Sequence, residues 1–215
     1  MTRECMKSLI EKYRENEGYI DTLLGVRTGI NDVDNKSWMC KRRFGYQPSE
    51  YRVLWDIFSK YPFSEKDVLV DYGAGLGRVL FTAVIFGCKR AIGIEIDKES
   101  IEILIDNISH LNMKREIEIY EQNAETWAIH VGVTRFFFFN PFPLIAFLKI
   151  LERIIEYAKH QQNECLLFFV TLSPGYMDAL NRHTECQLQD IIYDNKREKR
   201  KFDIYIYRVN CNDTN

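Results

Sequence analysis

No apolar run in the chain approaches the roughly twenty residues that a membrane-spanning helix needs. The opening MTRECMKSLIEKYRENEG is charged and helical in pattern, where a secretory leader would be apolar. A cytoplasmic protein that meets no membrane is therefore expected. The six cysteines (Cys5, Cys40, Cys88, Cys165, Cys186 and Cys211) form no CxxC pair and have no closely spaced histidine. That excludes a recognisable zinc site or disulfide framework and leaves reduced thiols as the expectation. Charge of one sign is missing too: 28% of the 215 residues are charged, yet the formal net charge is −2. Global charge thus selects no partner. His110, His130, His160 and His183 are isolated, so no metal is expected and no general base stands out. The chain has no internal repeat and no low-complexity tract. With 46% hydrophobic residues it has the composition of one ordinary domain with a substantial core.

What is present is concentrated in residues 67–97, DVLVDYGAGLGRVLFTAVIFGCKRAIGIEID. Val68, Leu69 and Val70 form an apolar run of the kind found in the middle of a parallel sheet. Gly73, Ala74, Gly75 and Gly77 then allow a tight turn in which backbone approaches a ligand closely. A helix follows at once, so its free N–H groups face that turn. A second strand ends in Glu95, about twenty residues after the glycines, where a carboxylate can accept hydrogen bonds from a ribose diol. A dinucleotide fingerprint, GxGxxG, would need glycine at position 78, which holds Arg78. The chain instead reads acid-x-GxGxG, with Asp71 ahead of the first glycine.

That pattern resembles motif I of the class I, Rossmann-like S-adenosylmethionine-dependent methyltransferases, with Glu95 at the place of the family's ribose-binding acid. The resemblance spans about residues 44 to 209. It implies S-adenosylmethionine as cofactor and an α/β fold, three-layered and doubly wound. The sheet would be mostly parallel and seven-stranded, with a C-terminal antiparallel hairpin strand. Elements are expected as helices near residues 4–15 and 50–60 flanking a loop at 31–36. Strands and helices then alternate, with strands at 67–71, 90–95, 116–120, 135–139 and 165–171 and helices at 77–87, 98–111 and 143–160. A hairpin of 187–193 and 202–209 closes the chain. Residues 1–62 are expected as a helical lead-in that covers the cofactor, and residues 63–210 as the catalytic domain.

The resemblance also implies roles for individual residues. Asp71 would hold the turn and the positive methionine end of the cofactor, while Asn123 and Ala124 stand where the family often has an acid and a small residue against the adenine. Here the acid is an amide, which equally suits a turn cap. Tyr46 and Ser49 are candidates to cover the methionine end, with Ser49 also suited to be a helix N-cap. Asn140-Pro141-Phe142-Pro143 resembles the [DN]-P-P-[YFW] motif of amino-group methyltransferases, with the aromatic third and proline fourth. It makes Asn140, Pro141 and Phe142 the acceptor-site candidates, and Pro143 equally suits the start of a helix. The pattern VDYGAGLGRV…GIE is similar, in addition, to that of the non-SET histone lysine methyltransferases, whose acceptor-site residues are not recognisable in this chain. The turn Lys196-Arg197-Glu198-Lys199-Arg200-Lys201, with Lys41, Arg42 and Arg43, suits either a solvated hairpin tip or a rim that recruits a polyanion such as RNA or an acidic protein. Two alternatives stand beside the methyltransferase reading: an NAD(P)-binding oxidoreductase, and a non-catalytic S-adenosylmethionine-binding module.

Overall fold

The computed structural model describes residues 1–29, 46–194 and 202–210. The loop 31–36, Lys41, Arg42, Arg43 and the basic turn 196–201 lie outside the described residues. Helices α1 (Arg3–Tyr13), α2 (Glu17–Leu24) and α3 (Tyr51–Lys60) precede the first strand. Alternation follows: β1 (Val68–Tyr72), α4 (Arg78–Ile85), β2 (Arg90–Glu95), α5 (Lys98–His110), β3 (Ile117–Glu121) and β4 (Arg135–Phe138). The chain continues through α6 (Leu144–Gln161), β5 (Cys165–Val170), α7 (Pro174–Asn181), β6 (Cys186–Ile192) and β7 (Ile204–Val209).

The seven strands form one sheet in the order β3-β2-β1-β4-β5-β7-β6. Strands β1 to β5 pair in parallel, and β7 runs antiparallel to both of its neighbours. The fold is thus the expected three-layer α/β arrangement with a reversed strand near one edge. Because β7 is reversed, β6 runs in the same direction as β1 to β5. The base of the β6–β7 hairpin, Asp194 and Phe202, consequently lies at the carboxyl edge of the sheet.

Period-two alternation along the strands divides the core between the two faces. Leu69, Ala91, Ile117, Phe137 and Phe168 pack beneath α1 to α5, while Val70, Ile92, Phe136, Phe138 and Phe169 pack against α6 and α7. The run Phe136–Phe138 is buried on both faces, as a central parallel strand requires. Each such ring contributes about 1.5–3 kcal/mol by leaving water. Met6, Ile10, Ile20 and Leu24 of the first two helices share the core with Phe81 and Val84 of α4.

Local signals set the element ends. Asp97 caps α5 by accepting the Ser100 N–H at 2.9 Å, a contact worth about 1 kcal/mol. Ser173 caps α7, which has proline in its first turn. The N-cap expected of Ser49 is corrected: that position is Glu50, with φ −67° and ψ 142° and no side-chain cap bond. The chain stays extended one residue longer because Ser49 is drawn inside, 4% exposed, with its carbonyl accepting from Arg78 Nη1 at 3.1 Å.

Candidate functional site

The carboxyl ends of β1, β2 and β4 surround a cavity of about 490 Å³, within the usual size of a small-molecule site. The β1 end supplies the glycine turn. Gly73 and Ala74 donate backbone N–H bonds to the Ile94 carbonyl at 2.9 and 3.1 Å, which ties the turn to the end of β2. Gly75 needs to be glycine for two reasons. Its φ is +52°, and a Cβ there would lie 2.7 Å from the ring of Tyr46.

The two acids behave differently. Glu95, at the end of β2, accepts the Gly75 N–H on Oε2 at 2.9 Å and the Ile96 and Asp97 N–H groups on Oε1 at 2.8 and 2.9 Å. It therefore shapes the turn as well as facing the cavity. Asp71 is 3% exposed and its carboxylate makes no hydrogen bond among the described residues. Burial first, and the negative charge of Glu95 second, push its pKa up to about 8. A cation or hydrogen-bond donor beside it would favour its ionised form.

The loop after β4, the strand next to β1, borders the same cavity. Asn140 is exposed with φ +45°, a left-handed conformation that asparagine tolerates better than most residues. The Pro141 Cβ lies 3.0 Å from where a Cβ on Gly73 would sit, so the loop presses on the glycine turn. Phe142 lines the cavity, meets Tyr72 edge-on with ring centroids 6.0 Å apart, and accepts the Tyr176 hydroxyl on its carbonyl at 2.8 Å. Pro143 is the N-cap of α6. Asn123 accepts the Glu125 N–H on its side chain at 2.9 Å, a turn-capping bond, while it and Ala124 line the cavity.

Tyr46, Ser49, Asp71, Gly73, Ala74, Gly75, Glu95, Asn123, Ala124, Asn140, Pro141 and Phe142 thus border one cavity. Gly77 does not. It is the N-cap of α4, with φ +88°, and a Cβ there would meet Leu104 at 2.9 Å. Sequence reading missed Ile96, Phe139 and Arg78, which line the same space. An apolar residue left 60% exposed just after a strand-terminal acid marks Ile96 as a flat contact surface. Phe139 follows the apolar run of β4 and could have been placed by it. The signal in Arg78 was used only to exclude a dinucleotide turn.

Sheet order, glycine turn and paired acids together define the fold of the class I S-adenosylmethionine-dependent methyltransferases, and the chain carries their motif I. Residues 40–137 match the family described as "Histone methylation protein DOT1". Among curated relatives, the uncharacterized protein MJ0284 of Methanocaldococcus jannaschii is 44% identical over 54 residues, covering 25% of this chain and 24% of that protein. The ribosomal protein L11 methyltransferase of Hamiltonella defensa is 33% identical over 61 residues, covering 28% of this chain and 20% of that protein. The chain thus spans about a quarter or less of the length of these relatives. Among solved structures, PH1948 from Pyrococcus horikoshii, described as a candidate RNA methyltransferase, superposes with a TM-score of 0.58 at 17% identity, covering 94% of this chain and 98% of that one. At that identity the likeness is one of fold.

Among the described residues, no helix is long and apolar enough to cross a membrane, and no group of three His, Cys, Asp or Glu side chains could hold a metal ion.

Proposed function

We propose that this chain transfers the methyl group of S-adenosylmethionine to a nitrogen of its acceptor. The observation that carries the reading is the placement of Asp71 and Glu95 at the ends of β1 and β2 beside the Gly73-Ala74-Gly75 turn, in one cavity that Asn140 borders from the end of the neighbouring strand β4. The residues present fit the cofactor. The Asp71 carboxylate, without a hydrogen-bond partner among the described residues, suits its cationic methionine end, the Glu95 carboxylate at the end of β2 suits a ribose diol, and the exposed face of Ile96 suits a flat heterocycle. Asn123 keeps its backbone and amide near the same end, and Tyr46 and Ser49 wall the cavity beside the turn.

When bound, the cofactor supplies a methyl group already activated by its sulfonium. The protein's part is then alignment and exclusion of water, the main contributors when little acid or base chemistry is required. Asn140 accepts a hydrogen bond from the target N–H and orients the nitrogen lone pair along the line of attack. Pro141 fixes that loop against Gly73, and Phe142 and Phe139 supply the apolar wall. The sulfonium would keep the carbon–sulfur electron pair as a neutral thioether when its methyl was given up, and the proton lost from the acceptor nitrogen would pass to solvent, so no strong base is needed beside Asn140.

The acceptor reading favours a polyanion, RNA or an acidic protein. Its support is the position of the hairpin base: Asp194 and Phe202 flank the basic turn 196–201 in sequence, and Phe202 packs edge-on against the cavity residue Phe139 with centroids 5.7 Å apart. The fold likeness to a protein described as a candidate RNA methyltransferase points the same way. Residues 1–62 act in this reading as the cofactor cover and residues 63–210 as the catalytic unit, in a reducing, cytoplasmic setting.

The test is transfer of radiolabelled methyl from S-adenosylmethionine to RNA and protein fractions separated from one lysate. Label in the nuclease-sensitive fraction assigns RNA and label in the protease-sensitive fraction assigns protein. Label in neither, with an added small amine also unlabelled, would overturn the reading.

A further inference from the structure

Arg78 is the residue that distinguishes this glycine turn from a dinucleotide fingerprint, and it opens α4 directly after Gly77. Its side chain is buried, 3% exposed, and points away from the sheet into the segments before β1. Nε donates to the Thr28 hydroxyl at 2.7 Å. Nη1 donates to the Ser49 carbonyl at 3.1 Å and pairs with Glu17. Nη2 donates to Asp21 Oδ2 at 3.2 Å and to the Thr28 carbonyl at 3.1 Å. The guanidinium also lies 4.5 Å from the centre of the Tyr51 ring, whose hydroxyl donates to Asp21 at 2.7 Å. One fork of five N–H donors thus gathers α2, the segment around Thr28, and the approach to α3.

The chain of contacts continues into the cavity. The Thr28 carbonyl that accepts from Arg78 also accepts the Tyr46 hydroxyl at 2.9 Å. The ring of Tyr46 is then fixed over Gly75, so close that a Cβ there would lie 2.7 Å away. Ser49, held through its own carbonyl, lines the same cavity wall. From these contacts we infer that Arg78 is a positioning residue for the cofactor: it sets the wall formed by Tyr46 and Ser49 against the glycine turn. The inference rests on the cofactor reading given above.

A second buried arginine makes the control. Arg135 is 7% exposed and binds the Tyr61 and Pro62 carbonyls at 2.5 and 2.7 Å and Asp67 at 2.8 Å. It lies at the amino end of β4 and does not line the cavity, so its loss reports what a purely structural arginine does.

The experiment is calorimetric titration of S-adenosylhomocysteine into wild type, Arg78→Lys and Arg135→Lys, each checked for a cooperative thermal transition above the titration temperature. Lysine keeps the charge but not the fork, so Arg78→Lys should weaken binding by about tenfold or more, as expected when several charge-assisted bonds are lost. Arg135→Lys should bind like wild type while melting earlier. Where Arg78→Lys fails to fold, Tyr46→Phe removes only the hydroxyl that reaches Thr28, and about threefold or greater weakening is expected from one lost hydrogen bond. Wild-type affinity in a folded Arg78→Lys, or in Tyr46→Phe if that is the variant measured, overturns the inference. So does equal weakening by Arg135→Lys, since the effect then tracks stability. Absence of binding to wild type itself would sink the cofactor reading instead.

Discussion

Glu95 Oε2 accepts the backbone N–H of Gly75 at 2.9 Å, so the acid that ends β2 holds the glycine turn that follows β1. With its other oxygen on two further N–H groups, Glu95 clamps the turn, and in the proposed function it also holds the cofactor. Glu95→Ala should therefore weaken S-adenosylmethionine binding by roughly ten- to a hundredfold, the loss expected for charge-assisted bonds worth about 1.5–3 kcal/mol. It should also lower thermal stability measurably, because three backbone donors lose their acceptor. A role at the ribose alone would leave the melting temperature nearly unchanged. Calorimetry and a melting curve on the same variant distinguish these outcomes.

Asn140→Ala should leave cofactor affinity nearly intact and lower turnover, since the proposed role of the amide is to position the acceptor. The left-handed backbone at this position is harder for alanine to adopt, at about 1–2 kcal/mol. Asn140→Gly is the useful companion, relieving that strain while still removing the amide. Equal loss of binding and turnover in both variants would make Asn140 a cofactor residue.

The carboxyl of Asp71 titrates near neutrality, with its pKa pushed up to about 8. The folded chain keeps a proton that the unfolded chain releases, so this group's contribution makes stability fall as pH rises from about 4 to about 8. A cationic ligand favours the ionised form. Affinity for S-adenosylmethionine should accordingly rise with pH up to about 8 and then level off, with proton release on binding below that point. Asp71→Asn should show a flat profile and lower affinity. A wild-type profile equally flat from pH 6 to 9 would separate Asp71 from the cofactor's charge.

Neutralising Lys199, Arg200 and Lys201 together should raise KM for a polyanionic acceptor and flatten its salt dependence, with cofactor affinity untouched. Steady-state kinetics at two salt concentrations test this. Insensitivity to both salt and the triple change would make the hairpin plain surface and favour a small neutral acceptor.

The central unit was readable from sequence because its signals are local. Apolar β1, the glycine turn, the helix and Glu95 lie within thirty-one contiguous residues, and a two- or four-residue period marks each element. The lead-in was only partly readable. Helix α2 was not foreseen, because its role depends on Glu17 and Asp21 meeting Arg78 some sixty positions away, a polar pairing with no periodic trace. The misplaced cap at Ser49 has the same origin, since a serine drawn inside by a distant arginine looks locally like an ordinary helix start. Gly77 was assigned to the cofactor by motif, and the structure shows it as the N-cap of α4, where a Cβ would meet Leu104. The clamp that Glu95 places on the Gly75 N–H needed the turn's three-dimensional closure to become visible.

The most direct measurement is calorimetric titration of the wild-type chain with S-adenosylmethionine and, separately, with NADH. The account predicts saturable one-to-one binding of S-adenosylmethionine, weakened by Glu95→Ala, and no binding of NADH. Binding of NADH in its place, or S-adenosylmethionine affinity that Glu95→Ala leaves unchanged in a folded variant, would contradict it.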